Sequence, residues 1–392
     1  MTIDISRARR DTLTAAHLLH FNNAGAALPP VCVLDAVTAH LTLEAANGRN
    51  EAAATAHDRH QQIYRSNARL IGCQPDEIAL VENATVAWNL AFHSIRLTAG
   101  DRILTARAEY ASNFIGFLQV ARRTGARIEV VPSEASGELD IAALEEMIDE
   151  RVKLIAITHV PTNGGLVNPA AAVGKIARRH GIIFLLDACQ SIGQMPVLVD
   201  AIGCDLLSAT GRKYLRGPRG TGFLYVRRSL LDRLEPPFLD LHAATWVTPD
   251  RYELLPDARR FENWDSNIAA QLGLGAAVDY ALGCGLSAIA ERVTALAQLL
   301  RHQLALLPGV IVRDIGRQRC GIVSFTVADR SATELVAKLR SRRINCSVST
   351  PNSTLLDANA RSLPDLLRAS VHYYNSEEEV ARFASAIADL TR

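Results

Sequence analysis

The chain has 392 residues, 48% of them hydrophobic and 21% charged, and its 42 basic and 41 acidic residues leave a formal charge of +1. That length can bury a large core and accommodates one big domain plus a smaller one. Charge is spread along the chain with no basic stripe, which disfavours nucleic acid as a partner. No apolar run approaches the roughly 20 residues of a membrane helix, so no membrane partner is expected. Met1–Thr12 alternates charge and polarity without an apolar segment, and a cytoplasmic protein is the expectation.

From about residue 77 to 226, short β-branched runs alternate with Ala/Leu-rich amphipathic stretches, the rhythm of strands joined through helices into a largely parallel sheet. The predicted strands are Ile78–Val81, Arg102–Thr105, Arg127–Val131, Leu154–Thr158, Ile182–Leu186, Leu206–Ala209 and Gly222–Val226. Helices are predicted at Asn113–Thr124, Ile141–Asp149 and Pro169–His180, the last with proline at its first position. Pro236–Glu262, rich in Pro, Asp and aromatics, reads as loops, and Asn267–Leu282 and Ser287–Leu306 read as long helices. From about 309 the pattern changes to strand Gly321–Thr326, helix Ala332–Ser341, strands Ile344–Ser347 and Leu367–His372, and helix Glu377–Leu390. The expected architecture is therefore α/β: an N-terminal segment (1–20), a large domain with a mainly parallel seven-stranded sheet between helices (21–284), and a small α+β domain (285–392). The seven cysteines are odd in number, scattered and never spaced as C-x-x-C, so neither a disulfide framework nor a metal site is expected and most are assigned to the core.

Only four of the 42 basic residues are lysines: Lys153, Lys175, Lys213 and Lys338. Three share their segments with arginines and read as solvated faces. Lys213 instead follows a strand end, inside Ser208-Ala-Thr-Gly-Arg-Lys-Tyr-Leu-Arg-Gly-Pro-Arg-Gly-Thr-Gly222, and ends of parallel strands are where α/β sheets place ligands. Thr210, Arg212 and glycine-exposed amides there suit a phosphate. The Walker pattern is missing, which counts against a nucleotide site, and a basic surface turn remains the bland alternative. Asp187, at the end of the predicted strand Ile182–Leu186, could serve as the anion that a pyridoxal ring nitrogen requires. Gln190 could donate to the phenolic oxygen, although Asp187 could equally cap the next segment. In Glu82-Asn-Ala-Thr-Val-Ala-Trp-Asn89 the amides of Ala84 and Thr85 at a helix start could bind a phosphate, or Asn83 and Thr85 could simply cap the helix.

In this order, His20-Phe-Asn-Asn-Ala-Gly-Ala, Asn83-Ala-Thr, Glu109-Tyr-Ala-Ser-Asn113, His159-Val-Pro-Thr-Asn-Gly-Gly-Leu-Val-Asn-Pro169, Asp187-Ala-Cys-Gln190, the Lys213 loop and Arg368-Ala-Ser-Val-His-Tyr-Tyr-Asn375 resemble the class V aminotransferase family of fold-type I pyridoxal-phosphate enzymes. That family includes cysteine desulfurases and isopenicillin N epimerase. The resemblance implies pyridoxal 5'-phosphate as cofactor, bound as a Schiff base to Lys213, with Asp187 on the ring nitrogen and Tyr110 on the ring face. It further implies Thr162 and Gln190 beside the phenolic oxygen, with Thr85, Thr210 and Arg212 on the phosphate. Arg368 would take the substrate carboxylate and Asn23 would border the substrate. It also implies a homodimer with the active site at its interface, the partner's Asn263–Asn267 loop reaching the phosphate through Ser266 where Asp265 replaces the usual threonine.

The stretch Ser347-Val-Ser-Thr-Pro-Asn-Ser-Thr354, where desulfurases carry their persulfide-forming cysteine, has none, and Cys346 is out of alignment with it. The expected reaction is activation of Cα of an amino acid through an external aldimine, with Lys213 as base and β-elimination from a cysteine S-conjugate as outcome. Epimerisation and transamination remain alternatives, as does a non-catalytic interaction protein that kept the fold.

Overall fold

The computed structural model describes residues 3–391. Its centre is a seven-stranded sheet of β1 (Ile78–Val81), β2 (Arg102–Ala106), β3 (Arg127–Val131), β4 (Val152–Thr158), β5 (Ile183–Asp187), β6 (Leu206–Thr210) and β7 (Gly222–Val226). The spatial order is β1-β7-β6-β5-β4-β2-β3. Only β7 runs against its neighbours, pairing antiparallel with both β1 and β6. The inner strands β5, β6 and β7 are buried at every position, because helices cover both faces of the sheet. This explains why they read as unbroken apolar runs rather than alternating ones. Two apolar cores result, one containing Phe184, Leu186 and Leu207, the other Leu185, Leu206 and Leu224.

The parallel register decides where chemistry can happen. Thr158 pairs with Asp187, and Asp187 with Ser208, so the carboxyl ends of β4, β5 and β6 finish in one row. Polar side chains appear where the apolar runs stop, which is the crevice position for ligands in open α/β sheets.

Several expectations need correction. Pro236–Glu262 is not all loop, because Ala244–Thr248 and Arg251–Leu254 form an antiparallel hairpin, with Tyr252 opposite Trp246. Its side chains are mostly exposed, so no alternation of apolar and polar residues marks it. Pro169 is the cap preceding helix Ala170–His180 rather than its first residue. The single strand expected at Ile344–Ser347 is two: Ile344–Asn345 pairs with Leu19–His20, and Ser347–Ser349 pairs with Leu366–Ser370. The chain changes partners at the buried Cys346. Helices Val31–Asn47, Arg49–Thr55 and His57–Ile71 precede the sheet in a region left unassigned above. Of the cysteines, Cys204, Cys320 and Cys346 are buried, while Cys32 is exposed and the rest are intermediate.

The C-terminal part carries a four-stranded antiparallel sheet, Val310–Val312, Ile322–Val327, Leu366–Ser370 and Ser347–Ser349 in spatial order. Residues 3–20 are stitched to it by the Leu19–His20 pairing and the Arg9–Glu379 ion pair. Among the described residues no single helix is long and apolar enough to cross a membrane.

Candidate active site

A cavity of about 500 Å³ opens at the carboxyl ends of β4, β5 and β6, lined by Asp187, Lys213, Tyr110, Thr162, Gln190 and Thr210 among others. Ala84, Thr85 and Arg212 also line it. These nine residues come from five separate stretches of chain and include most of the sequence-derived candidates.

Asp187 ends β5 and is buried. Its Oδ1 accepts from the Cys189 amide at 2.9 Å and its Oδ2 from Asn113 Nδ2 at 2.9 Å. Each oxygen keeps a lone pair for a further donor. Lys213 sits in a tight loop closed by Arg216 N–H to the Lys213 carbonyl at 2.9 Å and Gly217 N–H to the Gly211 carbonyl at 2.8 Å. Gly193, at φ +89, packs beneath this loop: a Cβ there would lie 2.4 Å from the Tyr214 carbonyl carbon.

Helix Ala84–His93 begins beside the cavity. Asn83 caps it by accepting from Val86 N at 3.0 Å, which leaves the Ala84 and Thr85 amides of the first turn available to an anion. β7 begins against this turn at Gly222, where a Cβ would strike the Ala209 carbonyl at 2.5 Å and Asn83 at 3.0 Å. Thr210 is buried at the end of β6. The Arg212 guanidinium donates to the Gly25 carbonyl. Tyr110 presents an aromatic ring that is 37% exposed.

Gln190 is buried; its Nε2 donates to the Ala24 carbonyl at 3.1 Å and its Oε1 has no partner among the described residues. The Thr162 hydroxyl accepts from Arg368 at 2.6 Å, so its own proton is free to point elsewhere. Arg368 also bonds the Thr162 carbonyl at 3.2 Å and Ser347 Oγ at 3.1 Å. It is a buried guanidinium with only neutral acceptors, and no acid among the described residues forms an ion pair with it; burial holds it below the usual arginine range. An uncompensated buried cation is a ready site for a carboxylate.

Three candidates fall outside the cavity lining: Asn23, Ser266 and Arg368, the last adjoining it through the lining residue Thr162. Asn23 does not face it: the side chain is fully buried, donating to the Ser370 carbonyl at 2.7 Å and accepting from Tyr374 OH. Its polar atoms are spent joining the N-terminal segment to the small sheet, and the expectation that it borders substrate is withdrawn. Ser266 lies outside the lining of this chain's cavity as well. The lining also includes residues not singled out as site residues from the sequence: Asn113, Thr158, Cys189, Arg219 and Gly220. Thr158 is legible only through the register that sets neighbouring strand ends side by side, and Asn113 only through its tertiary contact with Asp187.

The class-V aminotransferase sequence profile matches residues 19–383. The chain belongs to the class-V aminotransferase family. A probable cysteine desulfurase of Xylella fastidiosa is 32% identical over 377 residues, covering 94% of this chain and 90% of that protein. The apo structure of cysteine desulfurase from Thermococcus onnurineus NA1 superimposes with a TM-score of 0.93 at 28% identity, covering 100% of this chain and 98% of that one. A cystine C–S lyase solved with its product cysteine persulfide gives 0.87 at 25% identity, covering 96% and 99%. As a class-V aminotransferase-fold protein, the chain is a pyridoxal-phosphate-dependent enzyme. The cavity has groups complementary to that cofactor: a buried carboxylate, an amine, first-turn amides, hydroxyls and an aromatic face.

Proposed function

We propose that the enzyme is a C–S lyase that releases a thiol from a cysteine S-conjugate by β-elimination, with pyruvate and ammonia as the other products. The carrying observation is the segment Ser347–Thr354. It contains no thiol, and it is tied to the large domain by Asn163 Nδ2, which donates to the Thr350 carbonyl and to Thr354 Oγ1 at 3.0 Å each. The nearest cysteine in sequence, Cys346, is buried, and burial pushes its thiol up to about 12; burial also raises Cys189 in the cavity lining, so neither favours the thiolate a sulfur acceptor needs. Sulfur therefore leaves on the substrate's own fragment. The names of the relatives support cysteine-type substrates and favour a lyase over an epimerase.

In this reading Lys213 holds the cofactor, Asp187 pairs with its ring nitrogen, and Tyr110 covers its face. Ala84, Thr85, Thr210 and Arg212 surround the phosphate, while Thr162 and Gln190 flank the ring oxygen. When bound, the cofactor supplies an electron sink that acidifies the substrate's Cα–H. Arg368 orients the α-carboxylate through Nη2, the one guanidinium nitrogen without a partner among the described residues. Lys213 Nζ takes the Cα proton and returns a proton to the departing sulfur.

A homodimer fits the surface: Trp246, Trp264 and Leu241 are 77%, 67% and 73% exposed, and such apolar exposure marks an interface. A partner's Ser266 would approach the phosphate across it. Sedimentation of the protein at micromolar concentration tests this, and a strict monomer would remove it.

Incubation with a cysteine S-conjugate in deuterated water, followed by mass spectrometry, tests the reaction. Thiol, pyruvate and ammonia in equal amounts are expected. Deuterium at Cα of otherwise intact substrate, or a keto acid that retains the sulfur, would replace elimination by epimerisation or transamination.

A further inference from the structure

Glu109 has no role in the chemistry above, yet it is the most heavily bonded acid near the cavity. It is buried, and five donors converge on it: Thr105 Oγ1 at 3.1 Å, Tyr110 N at 2.9 Å, Asn113 Nδ2 at 2.8 Å, Thr158 N at 2.9 Å and the Thr158 hydroxyl. No arginine or lysine among the described residues forms an ion pair with it. A buried acid without a cation is costly unless its donors are arranged for it. Here they come from two adjacent strands, β2 and β4, and from the start of helix Ala111–Thr124.

One of these donors has a second acceptor. Asn113 Nδ2 gives hydrogen bonds both to Glu109 Oε1 and to Asp187 Oδ2. An amide that gives both its hydrogens to two carboxylates is held in one orientation by the pair. Among the described residues Asp187 has only one other donor, the Cys189 amide on Oδ1, so Asn113 decides the tilt of its carboxyl plane.

We infer that Glu109 is a positioning residue: through the shared Asn113 amide it aims the Asp187 carboxylate at the cofactor's ring nitrogen. The inference rests on the assignment of Asp187 to that nitrogen. A carboxylate is required because glutamine offers a single acceptor oxygen and would turn an NH₂ towards the Thr158 or Tyr110 N–H, leaving donor against donor. Burial pushes Glu109 up to about 7 against the pull of its donors. The titratable groups packed around it are Asp187 on the neighbouring strand and Tyr110 on its own loop.

The test compares wild type, E109Q, N113A and the double variant as proteins loaded with pyridoxal phosphate. Three quantities are read: the dissociation constant of the cofactor, the pH midpoint of its visible absorbance, and the thermal midpoint. Each single variant is expected to weaken cofactor binding by about tenfold or more, as loss of an outer-shell partner does. Each should also move the absorbance midpoint by about one pH unit or more. The double variant should move that midpoint no further than N113A alone, because both act along one path.

Midpoint shifts that add in the double variant would overturn the inference, as would an E109Q protein whose thermal midpoint drops while binding and absorbance match wild type. If E109Q does not fold, N113A decides alone, and an unchanged absorbance midpoint there refutes the shared-amide path. Failure of the underlying site assignment looks different: wild type itself would take up no cofactor, or D187N would leave the absorbance midpoint unmoved.

Discussion

Replacing Arg368 by glutamine separates a substrate-binding cation from a structural one. Arg368 is buried and bonded only to the Thr162 hydroxyl and carbonyl and to Ser347 Oγ, so the free enzyme carries an uncompensated charge that the substrate carboxylate would neutralise. Truncating one member of a buried, hydrogen-bonded charge pair costs about 2–5 kcal/mol, roughly 30-fold to several thousandfold in kcat/KM. The free protein loses no ion pair in the exchange and sheds a desolvated charge, so its thermal midpoint should hold within about 2 °C or rise. Steady-state kinetics with a cysteine S-conjugate, alongside differential scanning calorimetry, reads both effects. A variant that keeps its kcat/KM but loses stability would refute the reasoning and make Arg368 a structural tie between Thr162 and Ser347.

Glu109 gives a pH signature in stability. Its folded pKa of about 7 lies above its usual 4.5, so between those values the folded state holds a proton that the unfolded state has lost. Stability from this group is full below about 4.5 and falls as pH rises towards 7. E109Q removes that slope, so the stability of E109Q relative to wild type should climb by about 3 kcal/mol across the window; denaturant titrations at several pH values check this, and a flat difference contradicts it. His159 works in the opposite sense, since burial lowers it to about 4: its contribution is present above 6.5 and lost as pH falls through 4, so H159Q should narrow the loss of stability in acid. Gly193→Ala meets both a positive φ and the Tyr214 carbonyl carbon at 2.4 Å. It should cost about 1–3 kcal/mol and lower cofactor occupancy, measured by thermal unfolding and by visible absorbance. Cys346→Ala should leave kcat within about twofold of wild type in the absence of any persulfide step; loss of thiol release in that variant would restore a sulfur-carrying cysteine.

Much of the sheet was legible because its strands are short apolar or β-branched runs bounded by polar residues: Ile78–Val81, Gly222–Val226 and even the partly exposed edge strand Arg127–Val131 are found at the residues expected. Asp187 was legible as a polar group ending an apolar run, and Lys213 as the one lysine in a strand-end loop. The contacts that assemble the site were not. Asn113 reaches Asp187 from the start of helix Ala111–Thr124, a tertiary contact no local pattern encodes. Asn23 misled because its neighbours in sequence hold two lining residues, the Ala24 and Gly25 carbonyls being bonded to Gln190 and Arg212, while its own side chain turns inward to Ser370 and Tyr374. The hairpin at 244–254 escaped notice because its aromatics face outward, so burial imposes no period on it.

The most direct test of the account is the point at which the cofactor is attached. The protein loaded with pyridoxal phosphate, reduced with borohydride, digested and mapped by mass spectrometry should give one modified peptide, the one containing Lys213, and K213A should give none. With only four lysines in the chain the result is unambiguous. Modification at Lys153, Lys175 or Lys338, or no modification at all, would contradict the site on which the proposed chemistry depends.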